Sequence, residues 1–211
     1  MPPADDDTAT DDTLDAAVDN TVDDAATAIA SGDAVVYPTE TVYGLGADAT
    51  DADAVRRVFE IKGRPRFKPL SVGFADLSMA AEYVTPTERE RRFMQRFLPG
   101  AVTVLVARTG VFPDILVDGG DTVGVRIPDN TVARELARRA GPVTATSANE
   151  SGSPSVRRVD ALADSVRDAA GAVVDTGETP GGESTVVTVE TGEIHRRGAL
   201  AAEIEAWLAE H

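Results

Sequence analysis

An α/β or α+β protein, built on one sheet of mixed strand direction, is what this chain of 211 residues predicts. Three observations carry that expectation. Short apolar runs alternate with segments whose apolar residues recur at helical spacing. The alternation is not strict, as it would be in a pure βαβ array. A hydrophobic content of 42% over this length also supplies one substantial core.

The elements follow in order. Residues 1–19 hold seven aspartates and no basic residue, which predicts a solvated, disordered acidic tail. Residues 20–211 form the single predicted domain. A helix is expected from about Asn20 to Ala30, with Val22, Ala25, Ala26 and Ile29 on one face and Ser31-Gly32 as its stop. Ala34–Tyr37 reads as a short strand. It enters a hydroxyl- and glycine-rich turn with one carboxylate, Glu40. Thr50 or Asp51 then caps a helix carrying Ala54, Val55, Val58 and Phe59, and Leu70–Phe74 is a strand. Thr85-Pro86-Thr87-Glu88 reads as a capping box with proline at the first helical position. The helix it opens has a stripe of Phe93, Met94, Phe97 and Leu98 and ends at Pro99-Gly100.

Ala101–Ala107 and Thr122–Ile127 are predicted strands, Thr131–Ala140 a helix, Val143–Thr146 a strand and about Asp160–Ala169 a helix. Ala172–Asp175, Ser184–Val189 and Glu193–Arg196 complete the sheet. Pro180-Gly181-Gly182 marks a flexible loop. Ala199–Ala209 is the closing helix, with Leu200, Ile204, Trp207 and Leu208 toward the core.

Composition narrows the chemistry. Without cysteine there is no disulfide, thiolate nucleophile or cysteine zinc site. His195 and His211 are the only histidines, so neither a histidine metal cluster nor a Ser-His-Asp triad is expected. A metal would take oxygen ligands, which suits magnesium. The formal charge is −16, and 18 of the 20 basic residues are arginine. Such acidity points to a salt-adapted cytoplasm. At about 1 M salt the Debye length falls to about 3 Å, so only charges in near-contact steer a ligand. No apolar run is long enough to span a membrane and no signal peptide is visible, so a cytoplasmic location is expected.

Three constellations could carry chemistry. The first is a basic island of Arg56, Arg57, Lys62, Arg64, Arg66 and Lys68, with Glu60 its only acid from Val55 to Ser71. A solvated helix end would explain it, because cations are favoured near helix C-termini. Both lysines of the chain lie here, however, and that placement favours an anion site. The second is Pro142–Ser155, where Ser147, Asn149, Ser151, Gly152, Ser153 and Ser155 follow a strand. Small hydroxyls and glycine let backbone N–H groups approach a phosphate or ribose, although such runs are commonly plain turns. The third is Arg126 inside an apolar strand. A buried arginine requires a partner, either a structural carboxylate or that of a substrate. Gly44-Leu-Gly46-Ala-Asp-Ala49 also matches the dinucleotide fingerprint G-x-G-x-x-A, but Thr39–Tyr43 separate it from the strand. No G-x-x-x-x-G-K-[ST] loop is present.

Together, YPTETVYGLGADAT, KGRPRFKPLSV, TVGVRIPDN and PVTATSANESGSPS resemble the YrdC family of threonylcarbamoyl-AMP synthases. ESTVVTV and IHRRG are similar to its closing segments, and the likeness runs from about Ala25 to Gly198. The resemblance implies an open, twisted mixed sheet with a basic concave face flanked by helices. It implies a nucleotidyltransferase that joins L-threonine, bicarbonate or CO2, and ATP into L-threonylcarbamoyladenylate and pyrophosphate, with magnesium. A separate tRNA threonylcarbamoyl transferase complex would consume the product, and weak tRNA binding is a further implied contact.

Carried over by residue, Thr39, Tyr43, Arg126, Ala145 and Ser184 would form the threonine site, with Gly44 shaping it. Lys62, Arg64, Arg66 and Lys68 would hold phosphates, with Lys62 and Arg64 the catalytic pair. Thr122, Ser147, Asn149, Ser155 and Arg196 would contact the nucleotide. Glu40 would hold magnesium or orient a water. The chain departs from the long-form pattern at Gly73, where a histidine is common, and at Lys68, where asparagine is common. Two other readings remain at this point: a non-catalytic module binding double-stranded RNA or tRNA, and a same-fold paralogue carbamoylating another acceptor. The basic island is short and poor in aromatics for RNA binding.

Overall fold

The computed structural model describes residues 14–211. The tail expectation for residues 1–13 lies outside these. Helix α1 spans Ala16–Ala30 and begins earlier than predicted, because Asp15 caps it by accepting from the Ala17 amide at 2.8 Å. Leu14 and Val18 pack against the core beside it, so the first turn has apolar contacts that the aspartate count concealed.

The strands are β1 (Val35–Tyr37), β2 (Gly44–Gly46), β3 (Ser71–Gly73), β4 (Val102–Ala107), β5 (Thr122–Arg126), β6 (Val143–Ser147), β7 (Ala172–Val173), β8 (Thr185–Thr188) and β9 (Glu193–Arg196). They form one nine-stranded sheet in the order β7-β1-β2-β6-β3-β5-β4-β8-β9. Pairing is mixed: β1–β7, β3–β5 and β4–β8 are parallel, and the other neighbours antiparallel. Strand β2 was not predicted, since two of its three residues are glycine, a poor strand former.

The remaining helices are α2 (Ala52–Lys62), α3 (Leu77–Ala80), α4 (Glu88–Phe97), α5 (Asp114–Val117), α6 (Thr131–Ala140), α7 (Asp164–Ala169) and α8 (Ala201–Glu210). The short α3 and α5 were not predicted. The helix expected from Asp160 is a 3-10 turn, Val159–Ala161, followed by α7. The capping box also shifts by two residues. Thr87 caps α4, accepting from the Glu90 amide at 3.1 Å, while Glu90 accepts from the Thr87 amide at 2.8 Å. Thr85 cannot serve, because its amide donates to Ala107 O at 2.9 Å and holds it extended against the end of β4.

Alternation along the strands sorts the sheet into two faces. Val72, Val104, Val125 and Val187 turn to one face and join Val55, Phe59, Phe93, Leu116 and Ile204 of the helices in the large core. Val35, Tyr37 and Val143 turn to the other, where α1 and α6 cover them through Val22, Ile29, Val132 and Leu136. This second cover reaches only one end of the face. Beyond it the sheet presents Ala145, Ser71, Gly124 and Leu105, which pair directly with one another across β6, β3, β5 and β4.

The β8–β9 hairpin closes the far side. A Cβ at Gly198 would lie 2.2 Å from Glu183 O and 2.5 Å from Ser184 C. Both are backbone atoms with no rotamer to yield, so Gly198→Ala is expected to destabilise the protein by roughly 1–3 kcal/mol. The measurement is a lowered urea midpoint at unchanged m-value; an unchanged midpoint would show that the chain turns here without needing glycine.

Candidate functional site

The open part of the sheet face is the floor of a cavity of about 410 Å³. Ala145, Ser71 and Gly124 keep the floor low. A Cβ at Gly124 would sit 2.6 Å from Ser71 Oγ, so the centre of the sheet excludes a side chain there.

Helix α2 delivers the basic island. Asp51 caps its start, and Gly63 ends it in the left-handed region at φ 56°. Lys62 therefore falls in the last turn and is 3% exposed. Its Nζ donates to the carbonyls of Ser147 and Asn149, the latter at 2.6 Å, while its own carbonyl accepts from the Ser151 amide at 2.7 Å. Burial, with the Arg64 charge added, pulls its pKa down to about 8. Beyond the cap, Arg64 donates from Nε to Lys68 O at 2.9 Å and from Nη2 to Pro69 O at 3.0 Å, closing the loop upon itself.

Arg64 lines the cavity with Arg126 and Arg196. Burial lowers the pKa of Arg64, and the Arg196 charge lowers it further. Arg196 is likewise lowered, by burial first and by Arg126 after the opposing effect of Glu183. Arg196 is fixed from behind, donating to Ser184 O at 2.9 Å and to Ser184 Oγ at 2.7 Å. Ser184 is 1% exposed and shares a further bond with Thr103 Oγ1 at 3.2 Å. Three like charges in mutual range make a strongly attractive place for an anion.

Arg126 answers the question its strand position raised. It donates to Glu40 Oε1 at 2.7 Å and to Thr41 Oγ1 at 2.9 Å. The pair is largely buried, with side chains 12% and 13% exposed. Arg126 Nε and Glu40 Oε2 nonetheless find no partner among the described residues. Glu40, expected to hold magnesium or a water, is thus engaged by Arg126 and does not line the cavity. The turn carrying it folds on Thr39, whose Oγ1 donates to Val42 O at 2.7 Å and accepts from the Thr41 amide at 3.2 Å.

Of the residues singled out in the sequence, Thr39, Arg64, Thr122, Arg126, Ala145, Ser147, Ser155, Ser184 and Arg196 line this one cavity, as does Gly44. Five do not. Lys62 stands behind the wall, holding its carbonyls. Tyr43, expected to shape the threonine pocket, is fully buried, and its hydroxyl donates to Gly177 O at 2.7 Å, tethering the 175–177 turn. Asn149 points its amide into its own loop, donating to Glu150 O and Ser153 O at 2.8 and 2.7 Å. Arg66 and Lys68 are exposed on the loop that Arg64 closes. Lining residues that the sequence did not reveal include Tyr37, Thr41, Ser71, Thr103, Glu183 and His195. The repeated glycines were the available signal for Tyr37: Gly44 and Gly46 share a face of β2, and Tyr37 pairs opposite Gly44.

This fold and site define a mixed-sheet α/β protein with an arginine-lined cavity on the half-open face of its sheet. The chain belongs to the Sua5/YciO/YrdC family, whose model, described as telomere recombination, matches residues 27–198. A Bacillus subtilis protein named threonylcarbamoyl-AMP synthase is 40% identical over 168 residues, which are 78% of this chain and 49% of that one. Its Pyrococcus abyssi counterpart of the same name is 41% identical over 168 residues, covering 77% and 49%. The crystal structure of P. abyssi Sua5 complexed with L-threonine matches with a TM-score of 0.83 at 37% identity, over 90% of this chain and 57% of that one. The chain thus spans about half the length of these two curated relatives.

Lys62 gives the site a pH signature. Burial pulls its pKa in the folded chain down to about 8, against about 10.4 for an ordinary lysine. Between those values the unfolded chain binds more protons, so folding stability rises with pH; the cost of the buried charge is fully present below 8. Relative to Lys62→Met, the wild-type protein is expected to gain up to about 3 kcal/mol between pH 8 and 10.5. Urea unfolding of both proteins across that range tests this, and a constant difference would show an ordinary, solvated lysine.

Proposed function

We propose that the chain is an L-threonylcarbamoyladenylate synthase, a nucleotidyltransferase using L-threonine, bicarbonate or CO2, and ATP, and releasing pyrophosphate. The observation that supports this best is the convergence of Arg64, Arg126 and Arg196 on one cavity with a floor of small side chains. The likeness to a Sua5 solved with L-threonine supports the amino acid as a substrate.

In this reading Arg126, at one end, takes the threonine carboxylate, with Thr39, Ala145 and Ser184 around it. Arg64 and Arg196 take the phosphates, with Thr122, Ser147 and Ser155 toward the nucleotide. Lys62 acts through the loop whose carbonyls it holds, and its charge adds to the field on the phosphates. Arg66 and Lys68 raise the positive potential outside the lining. Tyr43 and Asn149 hold the surrounding loops.

The reaction needs no protein nucleophile. The threonine amine adds to CO2 and gives up a proton to solvent, forming a carbamate, and a carbamate oxygen attacks the α-phosphorus, breaking the bond to the β-phosphate oxygen so that pyrophosphate leaves. Holding the two reactants in line can supply roughly 7–11 kcal/mol. Guanidinium groups already fixed by Ser184 O, Lys68 O and Pro69 O meet the leaving charge without reorganising. The carbamate is labile, so a walled cavity protects it from water.

Magnesium fits this donor set only as a partner of ATP. No cluster of three or more His, Cys, Asp or Glu that could hold a metal occurs among the described residues. Glu183 is the carboxylate on the cavity lining, and one carboxylate plus substrate phosphates is a common way to bind this ion. When bound, magnesium would screen phosphate charge. The product would pass to a tRNA threonylcarbamoyl transferase complex in the cytoplasm, with only weak tRNA contact by this chain. Among the described residues no helix is long and apolar enough to cross a membrane.

Pyrophosphate release is expected only with L-threonine and bicarbonate both present, at high and at low salt. Equal release without threonine would refute the reading; tight, salt-dependent tRNA binding without turnover would favour the RNA module, and turnover with another acceptor the paralogue. Lys62→Ala is expected to lose about 10²-fold or more in turnover while retaining its circular dichroism spectrum. Full activity in a folded Lys62→Ala protein would remove this lysine from the phosphate role.

A further inference from the structure

Tyr37 is 3% exposed, yet it lines the cavity. Its ring is seated with unusual tightness. A Cβ at Gly44 would lie 2.9 Å from Tyr37 Cζ, and one at Gly46 would lie 2.8 Å from Tyr37 Cε1. Gly44 is therefore given up to this ring alone and Gly46 to the ring together with Val143, whose Cγ1 would lie 2.4 Å from a Cβ there, and the direction of the hydroxyl is fixed.

That hydroxyl is held only lightly. It donates to Thr144 O at 3.3 Å, a long bond, and no second partner is found among the described residues. A phenol oxygen can both donate and accept, so it retains the capacity to accept a bond. A Cβ at position 73 would make ordinary contacts only, 3.6 Å from Val143 O, 3.8 Å from the Ala145 Cβ and 3.9 Å from Tyr37 Oη, so Gly73 leaves the volume of about one methyl group beside the hydroxyl. Gly73 pairs across the sheet with Arg126. Burial pushes the Tyr37 pKa up to about 12, with Arg126 lowering and Glu40 raising it, so the hydroxyl stays protonated near neutrality and lies within range of both charges.

We infer that Tyr37 is the specificity residue of the amino-acid site, its hydroxyl bonding the β-hydroxyl of threonine beside Gly73. The inference rests on the proposed reaction, with the substrate carboxylate on Arg126. Threonine's hydroxyl lies three bonds from its carboxylate carbon, so a group near Arg126 is well placed to meet it. A site built to bond a substrate hydroxyl rejects the analogue without one, because its own polar group is then left unpaired. A purely structural tyrosine would affect both substrates alike.

The test compares L-threonine with L-2-aminobutyrate, which lacks the hydroxyl, in wild type and Tyr37→Phe. Readouts are kcat/KM for pyrophosphate release and amino-acid affinity by calorimetry. Wild type is expected to favour threonine by at least about tenfold, and Tyr37→Phe to lower the threonine values about tenfold while leaving those for aminobutyrate within about twofold. An unchanged preference, or an equal loss on both amino acids, overturns the inference. Gly73→Ala, whose added methyl meets only ordinary contacts, covers the phenol tip and serves if Tyr37→Phe fails to fold. It is expected to erode the same preference, and an unaltered preference there also overturns the inference. A wild-type protein inert with every amino acid would overturn the parent reading and this one with it. An active enzyme with an unmoved threonine preference would sink this one alone.

Discussion

A buried ammonium must find acceptors, and the way Lys62 finds them organises the site. At 3% exposure its charge has little water to lean on, so its Nζ takes the carbonyls of Ser147 and Asn149. That contact ties the end of α2 to the loop after β6. It sets Ser147 and Ser155 on the same cavity as Arg64, two residues beyond Lys62. The αL glycine between Lys62 and Arg64 turns one side chain inward and carries the next around the loop. Two neighbouring cations consequently serve different ends, one holding a wall and the other lining the space within.

The second requirement is an unfilled sheet face. A nine-stranded sheet would ordinarily be covered on both sides or present a polar face to water. Here α1 and α6 cover one end, and the next four strands carry Ala145, Ser71, Gly124 and Leu105 side by side. Small side chains on adjacent strands make a trough without any loop having to be long. The guanidinium groups then enter from three separate elements, the α2–β3 loop, β5 and β9, and each is gripped by backbone or by Glu40. Mutual repulsion among them is balanced by those grips, leaving net positive character at the centre of a very acidic molecule.

Much of this was legible in the sequence. Helix α6 and strand β9 match their predicted bounds; Asn130 and Gly141 mark the first, and antiparallel pairing with β8, interrupted by one register shift, marks the second. Thr39, Thr122, Arg126, Ser147, Ser184 and Arg196 meet on one cavity because each lies at or beside the end of a strand, while Arg64 reaches it from the loop after α2. What stayed hidden was direction. Tyr43 and Tyr37 lie on either side of the same turn, and only pairing decides that Tyr43 runs to Gly177 while Tyr37 meets the cavity. Likewise, Lys62 and Asn149 read as ligand-facing because spacing conveys proximity but not which way a side chain turns. The two overlapping Thr-x-x-Glu frames were equally acceptable locally, and a tertiary bond from Thr85 to Ala107 selected the second.

The glycine pair of β2 carries a wider lesson. Gly44 and Gly46 satisfy the spacing of a cofactor-binding signature, yet they act as the mould of an aromatic ring on the neighbouring strand. Positions 37 and 44 therefore constitute a single steric unit, and position 46 is set by Val143 as well as by the ring. A chain that carried a small residue at 37 would be free to bear alanine at 44, whereas an alanine at 46 would still meet Val143 Cγ1 at 2.4 Å. Linked variation of this kind, rather than the glycine spacing alone, would distinguish a seat for a side chain from a cradle for a nucleotide.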